Sequence, residues 1–148
     1  MAQTAVLHKI LHVREQEKQD AQMEQLKAVD YFEKAAKKLY HALKTKEQAE
    51  LGLEKYMKTE VTITVIKEQS VYIDTLNKKI VALQQQVQQA RKEMELKQLK
   101  LTEAHVEVKK VEKMIEKREQ LQFETEKKLE MIEMDEISIR QYTNHVQN

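Results

Sequence analysis

Stepping along the chain at alternating intervals of three and four residues meets Ile66, Gln69, Ile73, Leu76, Ile80, Leu83, Val87, Ala90, Met94, Lys97, Leu101, Ala104, Val108, Val111 and Ile115. Thirteen of these fifteen positions are apolar. One apolar side chain every 3.5 residues draws a narrow stripe along a helix, which coils around a partner helix to hide it. The segment reads as a coiled-coil helix. A second stripe lies upstream, at Val29, Phe32, Ala36, Leu39, Leu43, Lys46, Glu50, Leu53 and Met57. Lys46 and Glu50 interrupt it, and polar seam residues fix register at a cost in stability. Nearer the N-terminus Val6, Leu7, Ile10, Leu11 and Val13 share one side, whereas residues 14–25 retain only Ala21 and Met23.

Residues 58–65 (KTEVTITV) form the one break between the two stripes. Lys58 to Thr62 suit a short turn, with Thr62 as the N-cap of the helix that follows. The β-branched run Val61–Ile66 has a strand-like composition, but no other segment can pair with it, and a lone strand leaves its hydrogen bonds unmade. The expected organisation is one coiled-coil domain over residues 1–148. Helix 1 covers about 4–58, the turn about 59–62 and helix 2 about 63–143. A connection this short makes its helices antiparallel. The predicted fold is all-α, a long antiparallel two-helix coiled-coil hairpin.

Folding about residue 60 sets Leu53 near Glu68, Leu39 near Ala82 and Leu11 near Lys110, to within a turn. Some 80 residues at ~1.5 Å each make helix 2 a rod on the order of 120 Å. Helix 1 is then used up opposite residues 115–118, and there the stripe of helix 2 weakens as well. In the same register Arg118, Gln122, Thr125 and Glu136 are polar, and only Leu129, Ile132 and Ile139 remain apolar. A C-terminal overhang without an intramolecular partner is expected.

Composition agrees with few turns. Pro and Cys are absent, Gly occurs once, and charged residues make up 34%. The missing cysteines exclude disulfides and thiolate metal sites. The N-terminus lacks the apolar core of a signal peptide, and no run approaches the ~18 apolar residues of a membrane span, so a cytoplasmic protein without direct membrane insertion is expected. A net charge of +1 gives nucleic-acid binding no support. Residues 119–136 stand apart, with seven acids against Lys127 and Lys128. That is either a partner surface or a solvated helix face.

Catalytic chemistry finds no foothold. A single glycine rules out a P-loop and a dinucleotide fingerprint. A two-helix coiled coil offers no pocket in which to shift a carboxylate pKa, and no Ser, His and Asp arrangement is plausible on it. Neither catalytic residues nor a cofactor is expected, and the chain does not read as an enzyme. His8 and His12 share a helix face at i,i+4, but a metal site needs further ligands, so they read as a solvated pair. Tyr31, Tyr40, Tyr56, Tyr72 and Tyr142 suit either seam packing or partner anchoring.

Four segments, HKILHVREQEKQD, FEKAAKKLY, VEVKKVEKMIEKR and EMDEISIRQY, resemble the flagellar type III export family FliJ in its Bacillus-type branch. The resemblance spans nearly the whole chain, and the last two segments are its most specific part. It implies a cytoplasmic coiled coil, similar to the central stalk of rotary ATPases, associated peripherally with the inner face of the membrane at the flagellar base. It further implies insertion of the paired chain termini into the hexameric ring of the export ATPase FliI, contact with the export-gate protein FlhA near the hairpin end, and escort of flagellar export chaperones. The candidate ring contact is Met131, Met134, Asp135, Glu136, Ile137, Arg140 and Tyr142. The family's aromatic–leucine pair at the gate contact maps to Tyr72 and Leu76, although Lys79, Leu83, Ala42, Thr45 and Ala49 around it depart from better-studied members. Two other readings stand beside the stalk. One is a structural coiled coil that dimerises in parallel, which an uninterrupted helix through residues 58–65 would favour. The other is a holdase-type chaperone acting without an ATPase.

Overall fold

A computed structural model describes residues 2–147. Two helices, α1 (Ala2–Lys58) and α2 (Ile63–Gln147), pack against each other as a helical hairpin. The helix is interrupted at residues 59–62, which removes the reading of one continuous helix pairing in parallel with a second copy. The Thr59 hydroxyl donates to the Lys55 carbonyl at 3.1 Å, satisfying one of the carbonyls left open at the end of α1. Lys55 and Lys58 in that last turn complement the negative end of the helix dipole. The N–H of Val61 donates to the Thr59 carbonyl at 2.9 Å, closing a tight turn. The Thr62 carbonyl then accepts the N–H groups of Val65 and Ile66, as an N-cap residue does.

The chain divides into two compact units. One is Gln19–Thr102, and the other joins the residues up to Lys18 with those from Glu103 onward. Within the first, contacts across the seam include Gln25 with Gln98, Glu24 with Lys97, Phe32 with Arg91, and Ala42 with Ile80 and Leu83. Every pair is centred on about residue 61, so the helices run antiparallel in one constant register. Ile73, Leu76, Ile80, Leu83 and Ala90 of α2 are buried, and Ile66, Gln69, Val87, Met94 and Lys97 are half-buried. Within the second unit Val108, Val111 and Ile115 are buried, and Leu7, Leu11 and Arg14 of α1 are half-buried. From Glu116 to Gln147 every residue of α2 is exposed except Gln122.

The seam of α1 differs from its apolar stripe. Ala28, Ala35 and Ala42 are buried, with Ala21 and Ala49 half-buried, so one alanine faces inward in each of five successive heptads. Of the apolar stripe, Val29, Phe32, Ala36, Leu39, Lys46 and Leu53 are half-buried, while Leu43, Glu50 and Met57 are exposed. The physical reason is pairing of sizes. Ala42 packs against Ile80 and Leu83 of α2, and a small residue opposite a large one lets two helices interdigitate closely. A pattern read by hydrophobicity alone favours Leu43 over its smaller neighbour Ala42. Residues 14–25 are likewise not without a seam. Arg14, Lys18, Ala21 and Gln25 turn inward, whereas Met23 points to solvent.

Gly52 lies inside α1 with an ordinary negative φ, and a Cβ added there meets nothing within 4 Å. Glycine in a helix costs backbone entropy without return. Gly52→Ala should therefore stabilise the protein by about 0.5–1 kcal/mol. The check is the denaturant midpoint followed by helical circular dichroism, and an unchanged or lowered midpoint would contradict the open site.

Candidate partner-binding surfaces

Two exposed regions carry the candidate residues. The first lies within Gln19–Thr102, where a groove of about 610 Å³ opens along one flank of the seam. Leu76, Leu83 and Ala42 form its floor; all three are buried, so they offer an edge rather than a whole side chain. Tyr72 and Lys79 from α2, and Lys38, His41 and Thr45 from α1, stand along its rim. The i,i+4 spacing of Tyr72 and Leu76 puts them on one helix face. Tyr72 is exposed above the groove and Leu76 is part of the core, so the two candidates differ in what they offer at the surface.

The groove is also strongly cationic. Residues 34–46 contain five lysines and no acid, and residues 75–92 contain Lys78, Lys79, Arg91 and Lys92 and no acid. The antiparallel register brings these two runs opposite each other. Lys34 pairs with Asp30 at 2.9 Å and Lys46 with Glu50 at 3.8 Å, while Arg91 sits 6.0 Å above the Phe32 ring. Lys38 and Lys79 at the groove rim have no ion-pair partner among the described residues. The α1 side of the rim, Lys38 and His41, was not singled out from sequence. The signal for it is the pair of acid-free runs combined with the fold about residue 61.

Farther along the same unit the seam turns polar. Gln25 donates to Gln98 at 3.0 Å, and Lys97 reaches Glu24 at 3.8 Å and Glu93 at 3.7 Å. The Lys97 side chain is 22% exposed, the least of any side chain in these ion pairs. Such a layer holds register by specific bonding, although each pair adds little stability near solvent.

The second region is the exposed end of α2. Met131, Met134, Asp135, Glu136, Ile137, Arg140 and Tyr142 all lie on it, and all are exposed. At 100° per residue they do not share one face. Met131, Asp135 and Tyr142 fall on one side with Met134 beside them, while Glu136 and Arg140 lie opposite. Met131 and Met134 are 62% and 67% exposed, and a shallow surface of about 340 Å³ forms around them with Lys127, Glu130 and Asp135. The large apolar side chains turned to water here make this end of α2 a candidate contact surface.

Among the described residues no polar or charged side chain is buried, and no group of three or more His, Cys, Asp or Glu is placed to hold a metal. Among them, too, no helix is long and apolar enough to cross a membrane.

Comparison with known proteins gives a consistent result. The family model described as "Flagellar FliJ protein" matches residues 3–147. The flagellar FliJ protein of Bacillus subtilis (strain 168) is 36% identical over 142 residues, covering 96% of this chain and 97% of that protein. No solved structure matches the chain.

Proposed function

Since the chain belongs to the family of flagellar FliJ proteins, components of flagellar protein export, we propose that it is the coiled-coil stalk between the export ATPase and the export gate. In this reading the exposed end of α2 inserts into the hexameric ring of FliI, with Met131, Met134, Ile137 and Tyr142 as its apolar contacts and Asp135, Glu136 and Arg140 as its charged ones. The groove at Tyr72 and Leu76 receives the export gate FlhA, and the hairpin hands on export chaperones. The protein works in the cytoplasm, held at the inner face of the membrane by these partners, and itself performs no catalysis.

The observation that carries the proposal is the exposure of α2 beyond Ile115. A helix that lacks a facing helix and displays Met, Ile, Phe and Tyr gains stability only when another protein covers it. The test is the ATP hydrolysis rate of purified FliI, alone, with the full chain, and with a chain truncated after Glu119. Stimulation by the full chain that disappears on truncation is expected. Truncation should leave the hairpin folded, since no described residue past Ile115 is buried. Stimulation that survives truncation would move the ring contact elsewhere. Neither stimulation nor ring association by the folded full chain would end the stalk reading.

A further inference from the structure

The groove and the acidic stretch of α2 are complementary to each other. One is rimmed by lysines in a stretch without acids and floored by Leu76 and Leu83. The other carries seven acids against two lysines over residues 119–136, with Met131 and Met134 exposed between Glu130 and Asp135. Neither set of charges is satisfied within the described residues: Lys38, Lys79, Glu130 and Asp135 all lack an ion-pair partner. Methionine is unbranched and polarisable, which suits it to a shallow, irregular floor such as this one.

We propose that the acidic stretch of one copy of this chain docks into the basic groove of a second copy. Groove wall and acidic stretch are parts of one unbroken helix, so the stretch that fills a groove comes from another molecule. Met131 and Met134 lie over the groove floor, and Glu130 and Asp135 face Lys38 and Lys79. The two contacting surfaces differ, which makes the contact heterologous, and it grows with protein concentration. A contact of this limited extent is weak and transient, and its charge pairs make it sensitive to salt. It covers both surfaces assigned above to export partners, and therefore competes with them. The proposal rests on charge and exposure alone and does not depend on the stalk reading.

The test is sedimentation equilibrium of the full chain over a wide concentration range. Measurements at about 0.1 M and 1 M salt compare screening lengths of about 10 Å and 3 Å. At the lower salt the weight-average mass should rise above 17.6 kDa as concentration increases, and at the higher salt it should return to that value. The double variant K38E/K79E should remain a monomer at every concentration, as should E130K/D135K. An equimolar mixture of the two restores opposite charges across the contact and should associate again. All four side chains are exposed, so circular dichroism should find both variants fully helical. A wild-type chain that stays monomeric at low salt overturns the proposal. So does association that the reversals leave untouched, or a mixture that fails to recover it. A monomeric chain whose groove binds an unrelated acidic peptide would assign the groove to another protein instead. None of these results depends on FliI or FlhA, so they leave the stalk reading to its own test.

Discussion

Replacing Ile80 by alanine should lower the unfolding free energy by about 2–4 kcal/mol, through lost burial and the cavity left behind. Ile80 is 5% exposed and forms an apolar cluster with Ala42 and Leu83, against which Leu39 packs. Ala42 is already small, so it offers no bulk with which to fill the gap. The same kind of truncation at Leu129, which is 57% exposed, should change stability by no more than about 0.5 kcal/mol. Denaturant midpoints of the two variants against the parent chain provide the check. Equal losses at both sites would mean that the C-terminal part of α2 is buried in solution.

The reverse experiment should also destabilise. Ala90→Leu inserts a larger side chain where only 1% of the residue is exposed, and overpacking of this kind costs about 1–3 kcal/mol. Judged by heptad pattern alone, leucine is the better seam residue, so the two lines of reasoning predict opposite signs. A lowered denaturant midpoint supports close packing at Ala90. A raised midpoint would show that the helices have room to spare there, and that the inward alanines reflect something other than close approach.

Periodicity was a sufficient guide to α2 because most of its apolar residues are large and its register never slips. All fifteen stripe positions from Ile66 to Ile115 are buried or half-buried. On α1 it was a partial guide: Val29, Phe32, Ala36, Leu39, Lys46 and Leu53 of its stripe are half-buried, but the alanines of the seam went unread. There the seam alternates alanine with larger or polar residues, and Val29, Leu43 and Met57 beside it outweigh the alanines on any scale of hydrophobicity. Residues 14–25 failed for a related reason: Gln25 is held in the seam by a hydrogen bond to Gln98, which no apolar pattern registers. At the groove, Tyr72 and Leu76 came from family resemblance. Lys38 and His41 depended on knowing which residues of the two helices face each other. The exposed end of α2 was legible from the loss of register after Ile115, although its seven candidate residues prove to be spread around the helix rather than gathered on one side.

The turn at residues 59–62 also sets the order in which the hairpin can close. Residues beside it meet after the chain closes only a short loop, whereas Gln25 and Gln98 are 73 residues apart. Loop-closure entropy rises with the length spanned, but once the layer before is in place each new layer adds only a few residues. The hairpin is therefore expected to zip from its bend, with the Gln25–Gln98 layer joining late and Ile80 meeting Ala42 before Ala90 reaches the residues around Phe32. In the rates, then, the loss at Ile80→Ala should fall more on folding, and that at Ala90→Leu more on unfolding.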